Sequence, residues 1–404
     1  MGSGPSDHDY GDHVIMAGLV DSHVHVNEPG RTEWEGFDSA TRAAAAGGTT
    51  TIIDMPLNSV PPTVSVEALA AKRHVCQGEI TVDVAFWGGY VPGAKNHMEP
   101  LVKAGVCGFK AFLVDSGVDE FPPVTDNELR VALEAMAALE TQALIHAEDP
   151  SLLADFTGDV RSYGSYLASR PTDSEAKAVA NMAELSDLTG APVHVLHVSS
   201  GDAVDILAAA PRGMSGETCP HYLTFTSSDI VDGATQFKCA PPIRQAAHRE
   251  ALWDGLKEGH LAMVVSDHSP APADLKQLDT GSFESAWGGI ASLQIRLPAT
   301  WSGAVERGLG PIEMAQWLSA APARLGGLDD RKGSIALGMD ADFVVWDPDG
   351  VTEVRGAELE HRHPITPYEG MRLRGSVTST YLRGERVFED GIVGPRRGRM
   401  LTRS

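Results

Sequence analysis

From Val14 onward the chain alternates short apolar runs with segments of helical spacing. The runs are Gly18–His25, Thr50–Met55, Thr81–Trp87, Val106–Leu113, Gln142–Ala147, Val193–Val198, Ser215–Cys219 and Leu261–Ser266. Each has the length of a candidate strand. Between them, Glu35–Ala46 carries an alanine-rich run closed by Gly47-Gly48, a helix stop. Ser65–Cys76 opens on a serine cap with Glu67 close behind. In Asp126–Leu139 the apolar residues Leu129, Leu133, Met136 and Leu139 recur at helical spacing. Ser174–Leu188 and Gln245–Leu256 follow the same pattern less sharply. Strand–helix alternation repeated eight times predicts an α/β fold, a (β/α)8 barrel over residues 17–325. A doubly wound open sheet is the rival. No Gly-x-Gly-x-x-Gly follows the first strand, which counts against a dinucleotide-binding version of it.

Beyond residue 325 the pattern changes. Lys332–Gly338 holds a short Ser-Ile-Ala-Leu run, and Asp342–Trp346 reads as a strand. Val377–Leu382 and Glu385–Phe388 read as a hairpin across Arg383-Gly384. Residues 326–404 are therefore expected to form a small β layer packed on the barrel, with the basic, Gly-rich Pro395–Ser404 fraying. Residues 1–16 are expected to be a short disordered segment, in which Met1-Gly2-Ser3-Gly4 reads as a cloning scar or a plain tail.

Composition adds exclusions. With 32 basic and 55 acidic residues among 404, the formal charge is −23, which argues against nucleic acid or an anionic membrane surface as partner. Cys76, Cys107, Cys219 and Cys239 form no C-x-x-C pair, so reduced thiols are expected rather than a disulfide scaffold or zinc finger. No run of about 18 apolar residues is present to span a membrane, and the polar start lacks the apolar core of a secretory signal. A cytoplasmic enzyme is the plain expectation.

Functional residues of a parallel barrel sit at the C-terminal ends of its strands. The first run ends on His23 and His25, which at i and i+2 face the same side and can reach one metal ion. The fourth contains Lys110 inside an apolar run. Burial depresses a lysine's pKa, and a neutral amine can add carbon dioxide to become an anionic carbamate able to bridge two metals. The plainer alternative is a buried lysine paired with a carboxylate. The fifth run ends at His146. In the sixth, His194 and His197 lie an odd number of residues apart, so alternation places only one of them in the barrel. His197, nearer the strand terminus, is the choice, and His194 is expected to be a packed or hydrogen-bonded histidine under a helix. The eighth ends on Asp267 and His268. Asp267, which can both bind metal and take a proton, is expected to face inward, with His268 supporting it. Six such groups suffice for two metals about 3.5–4 Å apart sharing a bridging hydroxide, with Asp267 as general base and then general acid. The implied reaction is hydrolysis of an amide or lactam. Histidine-rich ligation suits zinc, while cobalt, manganese and iron also fit.

These residues resemble those of the amidohydrolase superfamily, and within it the cyclic amidohydrolases: dihydroorotases, hydantoinases and, nearest in likeness, allantoinases. The resemblance extends beyond the metal motif to six stretches, from about Ala17 into the tail. They begin at His23-Val24-His25-Val26-Asn27-Glu28-Pro29-Gly30-Arg31, Asp54-Met55-Pro56-Leu57-Asn58-Ser59 and Ser116-Gly117-Val118-Asp119-Glu120-Phe121-Pro122. They continue through Glu217-Thr218-Cys219-Pro220-His221-Tyr222-Leu223, Cys239-Ala240-Pro241-Pro242-Ile243-Arg244 and Ser266-Asp267-His268-Ser269-Pro270. The resemblance implies a barrel with a binuclear zinc-type centre. Its ligands would be His23, His25, carboxylated Lys110, His146, His197 and Asp267, the last also the proton carrier. It implies hydrolysis of the hydantoin ring of allantoin to allantoate, and a dimer or tetramer. A hydantoinase or dihydropyrimidinase is the alternative on another ring, and a non-catalytic scaffold the alternative of a different class. Asn27, Arg31 and Asn58, in loops after the first two strands, are candidate substrate contacts, although Arg31 and Asn58 equally suit loop stapling. Trp287-Gly288-Gly289-Ile290 would form a pocket wall or cap the barrel, and Ser292 is undecided. One departure stands out. Relatives carry several dozen residues before the His-X-His strand, which supply most of a small β-sandwich, and here only residues 1–16 precede it. The small domain is thus expected to be an incomplete sandwich with an exposed apolar edge and lowered stability.

Overall fold

The structure, a computed structural model, describes residues 9–403. The reading of Met1–Gly4 lies outside the described residues. Eight parallel strands form the expected barrel: Leu19–Val24, Thr49–Asp54, Asp83–Phe86 with its continuation Gly88–Gly89, Phe109–Phe112, Ala143–His146, Val193–Val195, Met214–Thr218 and Met263–Val264. The third strand changes partner at Trp87. Its first half pairs with the second strand (Thr51 opposite Asp83) and its continuation with the fourth (Gly88 opposite Phe109). The ring closes where the eighth strand meets the first: Val24 pairs with His268, and the His25 N–H donates to the His268 carbonyl at 2.8 Å. The strands are buried almost throughout because helices cover the outside and side chains fill the inside.

Local sequence sets the helix starts. Ser65 accepts from the Ala68 N–H to cap Val66–Cys76, and Thr125 and Glu128 form a reciprocal capping box on Asp126–Ala138. Phe37–Ala46, Thr172–Thr189 and Ala246–Glu258 lie where periodicity places them. Lys95–Lys103, Gly201–Ala208 and Arg296–Glu306 complete the outer ring without a clear signal in the sequence. The first of these even contains Pro100, which reads as a helix breaker.

The small β part is one five-stranded antiparallel sheet in the order Val14–Ala17, Phe343–Glu353, Arg372–Leu382, Glu385–Glu389, Ile392–Val393. It packs on the barrel through Trp346, whose ring meets Trp301 edge-on at 5.0 Å, and through Thr380, whose hydroxyl donates to the Ala45 carbonyl at 2.7 Å. Two expectations are corrected here. Residues 1–16 are not wholly without structure: Val14-Ile15-Met16-Ala17 is an apolar run long enough to pair with Phe343–Trp346, from Val14 opposite Trp346 to Ala17 opposite Phe343. That pairing leaves Val344 and Trp346 fully buried, so the exposed edge on which lowered stability was expected is covered. Nor does 395–403 fray. The Gly398 N–H donates to Ile80, the Val84 N–H to Arg399, and the Leu401 N–H to Val84, so the tail runs beside the start of the third barrel strand with Leu401 buried.

Lys332 joins the two parts. Its ammonium is fully buried among Asp83 of the third barrel strand and Asp340 and Asp342 of the small-sheet approach, at 2.6, 2.9 and 2.6 Å. Among the described residues no helix is long and apolar enough to cross a membrane.

Candidate metal centre

The six predicted groups converge at the C-terminal mouth of the barrel. His23 and His25 leave the first strand on one face, their ring centroids 5.4 Å apart. Asp267 follows the eighth strand. Its Oδ1 lies 3.0 Å from His23 Nε2 and 3.6 Å from His25 Nε2, so these three side chains share one potential ion position. Lys110 sits inside the fourth strand, buried, with Nζ 3.3 Å from His23 Nε2 and 5.0 Å from the centre of the Phe112 ring. No carboxylate stands within ion-pair distance of it among the described residues, so the plain salt-bridge alternative finds no partner here. His146 ends the fifth strand, stacked on Phe112 at 4.7 Å, with Nδ1 3.0 Å from His197 Nε2.

His197 reaches the site by a route that strand alternation does not describe. The sixth strand stops at Val195, and His197 takes a left-handed backbone, φ 38°. His194 is buried and hydrogen-bonded, one of the two forms expected of it. Its Nε2 donates to Glu217 Oε2 at 3.0 Å, while Glu217 Oε1 accepts from His23 Nδ1 at 2.6 Å. Ser215 Oγ, 2.7 Å from His194 Nδ1, completes the chain. Glu217 thus turns His23 so that Nε2 faces the cavity, the usual task of a carboxylate behind a metal-ligating imidazole. Glu148 does the same for His146, accepting from Nε2 at 2.7 Å while paired with Arg170. Sequence reasoning gave no role to Glu148, Glu217 or Arg170. Glu217 lies in the polar strand Met214–Thr218, so it lacked the signal of a charge inside an apolar run that singled out Lys110.

A cavity of about 400 Å³ opens over these groups, lined by His25, Asn58, Lys110, His146, His197 and Asp267 and walled by Phe112, Tyr166, Arg170, Lys238 and Trp287-Gly288-Gly289. The Trp287 stretch is therefore a pocket wall. Asn58 reaches the cavity and sits 3.4 Å from His25 Nδ1. Arg31 does not line it. Its guanidinium donates to the Asn58 carbonyl at 2.8 Å, pairs with Glu120 and lies over Trp34, stapling the first two loops. Asn27 is buried and does not line the cavity, and its side-chain amide has no hydrogen-bond partner among the described residues. Asn27, Asn58 and Asp267 share the left-handed backbone of His197, at φ 65°, 67° and 45°. Asn and Asp tolerate it best among non-glycine residues. His268 bonds Glu35 at 3.3 Å, and Ser292 donates to the Ser266 carbonyl at 2.8 Å, bracing the turn that carries Asp267.

Burial and neighbouring charge set the protonation of the metal-free site. Burial lowers Lys110 to about 8. Burial, then the Lys110 charge, lowers His25 to about 3. Burial alone would raise Asp267, but His23 and His25 hold it well below the usual carboxylate range. Burial opposes Glu217 too, yet its two histidines bring it to about 2.

A barrel that gathers four imidazoles, a carboxylate and a buried lysine at one mouth is the architecture of a metal-dependent hydrolase. The chain belongs to the amidohydrolase family, whose profile matches residues 14–387. It is 50% identical over 400 residues to an allantoinase of Streptomyces avermitilis, a match covering 98% of this chain and 89% of that one. An allantoinase of Arabidopsis thaliana is 44% identical, with 95% and 79% covered. Among solved structures, the L-hydantoinase (dihydropyrimidinase) from Arthrobacter aurescens superposes with a TM-score of 0.93 at 29% identity, covering 99% of this chain and 93% of that one.

Proposed function

We propose that this amidohydrolase is an allantoinase, opening the hydantoin ring of allantoin to allantoate. The observation that carries the reading is the set of near-full-length allantoinase relatives, joined to a cavity lined by His25, Lys110, His146, His197 and Asp267 with His23 directly behind them. The donor set fits two divalent ions. Imidazoles and a carboxylate converge, and His197 Nδ1 is buried without a partner. His23, His25 and Asp267 would hold one ion and His146 and His197 the other, with Lys110 between them as a carbamate. A lysine lowered to about 8 keeps a neutral fraction able to take up carbon dioxide. Bound ions would supply Lewis acidity, lowering the pKa of a water and polarising the ring carbonyl.

The protein's own residues do the rest. Asp267, kept ionised, takes a proton from the attacking water and returns it to the ring nitrogen as the C–N bond breaks. Glu217 and Glu148 hold His23 and His146 in orientation. Asn58, at the cavity wall, hydrogen-bonds the substrate, with Arg31 and Asn27 shaping its loop. Zinc is the proposed metal, with cobalt, manganese or iron as fitting substitutes. A homo-oligomer, dimer or tetramer, in the cytoplasm completes the proposal.

The fold of the L-hydantoinase neighbour favours one second reading, a hydantoinase or dihydropyrimidinase. Turnover of allantoin, hydantoin and dihydrouracil by zinc-reconstituted protein separates the two. Allantoin turned over fastest is expected. Preference for an unsubstituted ring would overturn the proposal.

A further inference from the structure

Outside the six-residue set, the seventh strand leads into a second group of ligand-type side chains. Cys219 follows that strand and His221 lies in the short helix Pro220–Thr224. Both are fully buried, and Cys219 is a free thiol. Neither ring nitrogen of His221 has a hydrogen-bond partner among the described residues, and the ring merely rests edge-on against Tyr222 at 4.2 Å. Buried polar groups are seldom left so, because desolvation without a partner is costly. The sulfur of Cys219, a ring nitrogen of His221 and a carboxylate oxygen of Asp267 all lie within 4.8 Å of one another. Around a tetrahedral ion with bonds of about 2.0–2.3 Å, donor atoms stand roughly 3.5 Å apart, so a modest closure of the side chains would make a three-ligand site.

We propose that Cys219, His221 and Asp267 form a second cation site beside the hydrolytic one, which takes a thiophilic divalent ion such as excess zinc or cadmium and thereby blocks turnover. Thiolate with imidazole selects such ions over magnesium or calcium. Asp267 lines the cavity, so it offers the way in. A carboxylate has lone pairs enough to serve two neighbours, which lets the site form without emptying the first. On binding, the S–H bond of Cys219 gives way to a sulfur–metal bond and the proton leaves to solvent, with no change of oxidation state. The captured Asp267 carboxylate then no longer carries the proton between water and ring nitrogen. The blocking half of the inference rests on the role given to Asp267 under the proposed function, and the binding half does not.

The test adds cadmium to protein already loaded with its resident metals and reads the ultraviolet thiolate-to-cadmium band together with allantoin turnover. The proposed hydrolytic ligands include no cysteine, so the band reports a thiolate outside that centre. One further equivalent of cadmium, a thiolate band and lost turnover are expected. Cys219→Ser should remove the band and tolerate at least tenfold more cadmium, and Cys239→Ser, which removes the cavity-lining thiol, should behave as the parent. His221→Asn, which spares the thiol, should weaken cadmium binding at least tenfold and serves if the serine variant does not fold. No band, a band surviving Cys219→Ser, or one lost in Cys239→Ser would overturn the site. A band with undiminished turnover would overturn the blocking. Absence of allantoin turnover before any cadmium is added would instead refute the allantoinase reading, while the band still decides the site.

Discussion

Lys110 shows how one residue can be visible in a sequence and still need a structure to explain it. A cation inside Phe109–Phe112 is out of place by composition alone, and among the described residues no carboxylate lies within ion-pair distance of it, which is what supports the proposed carbamate. Lys110→Ala should abolish hydrolysis, and short carboxylic acids should restore part of it in the variant. Unchanged turnover in a direct assay would remove the bridging role. Asp267→Asn should retain metal, read by elemental analysis, while losing about 10²–10⁴-fold in turnover. Glu148 gives a prediction in pH. Burial would raise this carboxyl, but Arg170 and His146 bring it from 4.5 to about 2. The folded protein therefore gains stability from it above the unfolded value, and that gain of about 3 kcal/mol disappears as pH falls from 4.5 through 2. Acid unfolding of metal-free Glu148→Gln should lack that segment of the curve. The histidines of the first and fifth strands were legible because strand ends and period-two spacing are legible. His197 and His194 were not properly described by alternation, because the strand stops at Val195 and the backbone then turns left-handed. Glu217 shows the complementary gap: its partner His23 lies 194 positions away, a distance no local pattern spans.

At the scale of elements, the eight barrel strands could be read because all but the polar Met214–Thr218 are short runs rich in apolar residues and because helices with real caps separate several of them. Three outer helices escaped. Lys95–Lys103 carries Pro100 and buries only Met98 and Leu101, three apart, too short an apolar stripe to stand out against the proline in the sequence. The edge strand Val14–Ala17 was hidden in the same way. Four residues acquire meaning only once Phe343–Trp346 lies beside them. Besides the Trp346 and Thr380 contacts, the sheet is fastened to the barrel by Lys332, buried against Asp83 and Asp342 and paired with the part-buried Asp340. Lys332→Met leaves those carboxylates facing one another with only the Arg383 guanidinium, paired with Asp83, to offset them. It should cost about 3–5 kcal/mol, measured by chemical denaturation. A midpoint equal to that of the parent would show the seam to be held by apolar contact alone.

For the whole molecule, the two faces of the barrel divide the work. Loops after the strands carry the cavity, and the opposite face is closed by chain that precedes and follows the barrel. Residues 398–403 run beneath the third, fourth and fifth strands, with bonds to Ile80, Val84, Gly105 and Glu140. Removing residues 395–404 would expose Val84 and empty the space of Leu401. The thermal midpoint should fall by roughly 5 °C in calorimetry, with little change in the KM of the remaining folded protein. An unaltered midpoint would mean the contacts are ornamental. The same arrangement bears on handling. A resin or electrode tether joined near Arg403 would anchor the protein by its underside, leaving the mouth turned toward the bathing solution and free to exchange reactant and product.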